Sequence, residues 1–102
     1  MKREKPTPRP TDAELAILRV LWERGPSTVR EVHEEVSRER GTGYTTVLKL
    51  LQIMFDKGLV TRDESERAHV YQPRHSEEQA QRRLVTDLLD RAFGGSAQKL
   101  VM

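Results

Sequence analysis

The stretch from Tyr44 to Pro73 restricts the fold more than any other part of the chain. Residues 44–57, "YTTVLKLLQIMFDK", carry apolar side chains at helical spacing. Gly58 comes next, where a left-handed C-terminal residue is wanted. At about 100° per residue, Val47, Leu48, Leu50, Leu51, Met54 and Phe55 fill one broad arc. Thr45, Thr46, Lys49, Gln52 and Asp56 occupy the opposite arc, with Ile53 the one apolar residue among them. Directly after Gly58, "LVTRDE" and "AHVYQ" read as short β segments joined by a polar turn around Ser65 to Arg67, and Pro73 ends the second. Such a hairpin is marginal alone in water, so it must lean on helices.

The flanking segments supply those helices. "TDAE" is a capping box with Thr11 as N-cap, and Leu15, Leu18, Leu21 and Trp22 then recur at helical spacing up to Gly25-Pro26. A second helix is expected from Ser27 or Thr28, with Thr28 and Glu31 as its box and Val29, Val32, His33 and Val36 facing inward, before the break at Gly41–Gly43. Ser76 and Gln79 open a fourth helix that runs to Phe93 and stops at Gly94-Gly95, and Ser96 is placed to cap a further one. The expected fold class is therefore mostly α with a small β-wing. It is a winged helix-turn-helix over 11–75, behind a disordered basic tail at 1–10 and succeeded by C-terminal dimerisation helices over 76–102. The 102 residues allow one modest core.

Several function classes drop out. There is no cysteine, hence no disulfide or thiolate site. No glycine-rich phosphate loop, nucleophile elbow or paired carboxylate is present, so no catalytic residue is assigned and an enzyme is not expected. His33, His69 and His75 share no metal-ligand spacing, so neither a metal nor a cofactor is expected. Apolar runs are broken by charge, and "MKREKPTPRP" lacks the apolar stretch of a secretory signal, which points to a cytoplasmic protein with no membrane insertion. The net charge of +2 says little about a nucleic-acid partner, although Lys2, Arg3, Lys5 and Arg9 cluster in the tail.

A helix fits the major groove when its exposed face carries hydrogen-bonding side chains. Thr45 and Thr46 lie in the first turn of helix three, where hydroxyls and backbone N–H groups can also hold a phosphate, and Lys49 lies one turn on. Arg62 and Arg67 in the wing are candidates to reach phosphates or an adjacent minor groove. A polar helix face is also what plain solvation produces, and winged folds serve as protein–protein modules. Composition and pattern leave both readings open. In the fourth helix, Ala80, Leu84, Val85, Leu88, Leu89, Ala92 and Phe93 form an apolar stripe roughly 25 Å long at 1.5 Å per residue. A stripe of that length asks for a partner, most simply a second copy related by a two-fold axis.

"TDAELAILRVLWERGPSTVREVHEEV", "GYTTVLKLLQIMFDKGLV" and "ERAHVYQP" together resemble the penicillinase-repressor family, the BlaI/MecI type of winged-helix transcriptional repressor, from Thr11 to Met102. Glu14 and Trp22, "YTTV", "KGL", and Arg67, Val70, Tyr71 and Pro73 carry the resemblance in combination. It implies a homodimer on a palindromic promoter operator with TACA and TGTA half-sites. Recognition would fall on Tyr44, Thr45, Thr46 and Lys49, with Arg67 near the backbone. Dimerisation would fall on the end of helix four and the residues C-terminal to it, including Leu100. In the antibiotic-resistance members, the resemblance implies a membrane sensor with a metalloprotease domain that triggers cleavage of the repressor. Copper-responsive members carry a Cys-rich tail, which is absent here. Three positions depart from the family pattern: Ile53 stands where arginine is frequent, Glu66 stands for a glycine before Arg67, and members usually extend about one helix further. The last departure bears on dimer strength and on the proteolysis step, both of which the resemblance places in that region.

Overall fold

A computed structural model describes residues 9–93. Helix α1 spans Asp12–Arg24, strand β1 Ser27–Thr28, α2 Val29–Arg40, α3 Tyr44–Lys57, β2 Val60–Asp63, β3 Val70–Pro73 and α4 Glu77–Ala92. The expected capping boxes form at the starts of α1, α2 and α4. Each has its N-cap hydroxyl accepting from the N3 backbone N–H while the N3 side chain accepts from the N-cap N–H, which satisfies two otherwise orphaned donors.

The core lies where the first three helices meet the sheet. Ile17, Leu18 and Leu21 of α1, Val29, Val32 and Val36 of α2, and Val47, Leu51 and Met54 of α3 are all buried, together with Leu59, Val60 and Tyr71. The α3 arc expected to face inward does so, and Ile53 stays on the outer side, 36% exposed.

The two-stranded wing expected from the sequence forms and gains a third strand, β1, in the order β1-β3-β2, all antiparallel. Ser27 pairs with Tyr71 and Thr28 with Val70, so helix two begins only at Val29. The physical reason is backbone satisfaction: the outer edge of β3 would otherwise present unpaired amides and carbonyls. The buried Ser27 hydroxyl turns back to donate to the Gly25 carbonyl at 2.8 Å. Arg9 is placed, with its Nε 2.8 Å from Asp87 Oδ2 of α4, close enough for ion pairing though not aligned as a hydrogen bond. Lys2, Arg3 and Lys5 lie outside the described residues, as does Leu100.

Gly58 ends α3 at φ 83°, with its N–H donating back to Met54 and Phe55 carbonyls. A Cβ here would meet nothing nearer than Arg74 Nε at 3.9 Å, so the constraint is conformational rather than steric crowding. Gly58→Ala is expected to cost about 1–2 kcal/mol, the penalty of the left-handed region for an L side chain. Urea denaturation would measure it as a lower midpoint at unchanged slope.

Helix α4 buries none of its residues fully. It is tied to the domain at its base, where Trp22 Nε1 donates to the His75 carbonyl at 3.0 Å. A groove of about 350 Å³ separates it from α1, with Leu15, Leu18, Trp22 and Leu59 on one wall and Ala80 and Leu84 on the other. The apolar stripe of α4 is thus divided. Ala80 and Leu84 face the groove, whereas Val85 and Leu88 are each 56% exposed and Leu89 is 37% exposed. No described helix is long and apolar enough to cross a membrane.

The His75 side chain sits beside this junction. Burial, then the charges of Arg83 and Arg74, push its pKa below the usual 6.5. The folded chain therefore resists protonation there. The associated stability is intact above pH 6.5 and is lost as pH falls through that value toward the lower folded pKa. Stability is accordingly expected to fall as the pH drops below about 6.5. His75→Gln should flatten that fall in thermal melts, because the backbone acceptor for Trp22 remains.

Candidate nucleic-acid interface

Among the four described helices, α3 alone lacks a side-chain cap: its N-cap is Gly43, with no side-chain hydrogen bond. The first-turn N–H groups of α3 are therefore open to an external acceptor, and the helix dipole favours an anion there. Tyr44, Thr45 and Thr46 surround that end and are all exposed. The His33 ring of α2 meets the Tyr44 ring edge-on, with centroids 5.7 Å apart at 74°, which braces the start of α3 against α2.

Lys49 is exposed one turn further along, with no ion pair among the described residues. Gln52, Ile53 and Asp56 continue the outward face. Four of the expected contact residues thus share one surface because the inward arc of the same helix is consumed by Val47, Leu51 and Met54.

The two wing arginines separate. Arg67 lies exposed in the turn between β2 and β3. Arg62 does not stand free: its guanidinium lies 3.9 Å above the Phe55 ring of α3 and 6.0 Å from the Tyr71 ring. Its Nε donates to Glu64 Oε2 at 2.6 Å. Side-chain hydrogen bonding toward Tyr71, ahead of the Glu64 carboxylate, holds its pKa above the ordinary arginine value. Strand parity explains the placement. Arg62 pairs directly with Tyr71 and shares its strand face with the buried Val60, so its stem starts on the side turned toward the helices. The Val60/Arg62 spacing is the sequence signal for this. Arg62 is a strut between wing and α3, and Arg67 is the wing cation turned to solvent.

The turn itself is ordered by Asp63, whose carboxylate accepts from the Ser65 backbone N–H at 2.9 Å, and that bond lowers its pKa. Glu14 does more than its sequence pattern indicates. Beyond capping with Thr11, its carboxylate is 2% exposed and bonded to Lys57 at the far end of α3. Among the described residues no cluster of three or more histidines or carboxylates is suited to hold a metal.

The penicillinase-repressor family model matches residues 10–102. The transcriptional regulator BlaI of Mycobacterium tuberculosis is 42% identical over 92 residues, an alignment covering 89% of this chain and 67% of that protein. The solution structure of the DNA-binding domain of the repressor BlaI superposes with a TM-score of 0.64 at 28% identity, covering 72% of this chain and 90% of that one. Bacillus licheniformis BlaI, in its monomeric form in complex with the blaP half-operator, superposes with a TM-score of 0.62 at 28% identity over 74% of this chain and 92% of that one. With three helices, a short β1 and a β2–β3 wing, this chain has the winged-helix fold and belongs to the penicillinase-repressor family.

Proposed function

We propose that this chain is a transcriptional repressor that binds double-stranded operator DNA as a homodimer and acts by occupying a promoter. The reading is carried by the outward face of α3, where a helix start without a side-chain cap, two threonine hydroxyls, Tyr44 and Lys49, which has no ion pair among the described residues, share one surface. In this reading the first turn of α3 enters the major groove. Thr45 and Thr46 then meet a phosphate or a base edge, and Lys49 meets the next base or phosphate. Arg67 approaches the flanking backbone from the wing tip. The solved complex of a BlaI monomer with a half-operator supports a one-domain, one-half-site arrangement. The protein is a DNA-binding regulator and not an enzyme, and its place of action is the cytoplasm.

Dimerisation is assigned to the exposed α4 residues Val85, Leu88 and Leu89, with Phe93 and Leu100, whereas Leu84, expected in the same set, faces the groove toward α1. The operator expected from the family resemblance is a palindrome of TACA and TGTA half-sites. Release by sensor-triggered proteolysis belongs to this reading on the same resemblance.

The face is tested residue by residue. Thr46→Ala and Lys49→Ala are expected to weaken operator binding without moving the melting temperature, since both side chains are exposed. If Lys49 meets a phosphate, its loss lowers the salt slope by about one; if it reads a base, discrimination falls by roughly 1–3 kcal/mol. Unchanged affinity in both variants would sink the assignment of the reading face, and dependence on a protein partner instead of DNA would favour a protein–protein module.

A further inference from the structure

The carboxylate of Glu14 is almost wholly buried and, among the described residues, joins two elements that carry no other charged link. Lys57 Nζ lies 2.9 Å from Oε1 and 3.0 Å from Oε2, and Oε1 also accepts from the Thr11 N–H at 2.9 Å. The pair closes a sequence separation of 43 residues, from the first turn of α1 to the last residue of α3. Stability does not account for it, because buried ion pairs often do no better than apolar residues of similar volume. What such a pair adds is direction. The apolar contacts of Val47, Leu51 and Met54 tolerate a slide or rotation of α3 over its neighbours, whereas a carboxylate gripping one ammonium with both oxygens does not.

We infer that the Glu14–Lys57 pair is a positioning clamp that sets how far α3 projects from the domain, and hence which base edges its outward face meets. The inference rests on the DNA-reading assignment made above. Lys49 sits eight residues before Lys57, about 12 Å along the helix axis, so an error at the clamp is carried directly to the reading side chains. The same residue adjoins the turn into the wing. Leu59 N–H donates to the Met54 carbonyl and Arg74 N–H to the Leu59 carbonyl, so the start of β2 is registered from the clamped end of α3. Glu14 and Lys57 touch no DNA in this account. They act through α3.

The test compares the full chain with Glu14→Gln and with the double variant Glu14→Gln/Lys57→Met, both of which keep an acceptor for the Thr11 N–H. Each is titrated against a TACA/TGTA palindromic duplex and its scrambled version, with thermal melts in parallel. Glu14→Gln is expected to lose about tenfold of the preference for the palindrome, the discrimination of roughly one base pair. Binding to the scrambled duplex and the salt slope should stay within about twofold. The double variant is expected to recover thermal stability without recovering the preference, which a purely structural role would not allow. Should Glu14→Gln fail to fold, the double variant decides alone. A preference that never falls, or that returns together with stability, overturns the clamp. An unsubstituted chain with no preference overturns the repressor reading and the clamp with it.

Discussion

Leu51→Ala is expected to destabilise the domain by about 2–5 kcal/mol, the range for deleting a fully buried leucine and leaving a cavity. Leu51 has no exposed surface and lies midway along the inward face of α3, flanked by Val47 and Met54. The packing of this face holds α3, and with it the outward residues, against the domain. The loss should therefore appear twice: as a lower denaturation midpoint, and as weakened operator binding at temperatures where the variant is partly unfolded. At lower temperature, where the variant is fully folded, affinity should return to near that of the unsubstituted chain. Chemical denaturation combined with binding at two temperatures separates these effects.

The second large effect is expected from Leu88→Glu. Leu88 is 56% exposed on α4 and contributes nothing to the core, so the variant should melt like the unsubstituted domain. A charge placed in a helix–helix seam costs its desolvation unless it finds a partner. In the proposed homodimer that charge should separate the two chains, and each winged-helix unit should then meet one half-site alone. Losing the second linked contact removes about 10²–10⁴ of the apparent affinity, the usual gain from joining two sites. Sedimentation with and without the operator duplex would show one chain in solution and a loss of that size on the palindrome, with single half-site binding preserved. A variant that still loads two chains with undiminished affinity would place the dimer contact elsewhere.

Much of this molecule is legible in its sequence, for identifiable reasons. The bounds of α3 are set by a helical period that starts after Gly43 and a glycine that must take φ 83° at its end. The capping boxes at Thr11, Thr28 and Ser76 mark three more starts because their chemistry is local. The illegible part is long-range. A two-residue strand such as β1 has no alternation to display, and Ser27-Thr28 reads equally well as a helix start. Arg62 and Arg67 look alike in sequence because both are wing cations. The Val60/Arg62 spacing puts Arg62 on the inner strand face, but it takes the cross-strand pairing with Tyr71 and the Phe55 ring beneath it to show a strut, with Arg67 left in solvent. Glu14 shows its bond to Thr11, three residues away, but not the one to Lys57, which exists only once α1 and α3 are packed. The apolar stripe of α4 is visible in sequence, yet its division between groove and solvent depends on where α1 lies.

The central claim is that α3 and the wing read a specific duplex. Fluorescence anisotropy against the TACA/TGTA palindrome and its scrambled version, across a salt series, tests it most directly. The account predicts a preference of about a thousandfold or more for the palindrome, with two chains bound per duplex and affinity falling as salt rises. Equal affinity for the two duplexes at every salt concentration, from a folded dimer, would contradict it.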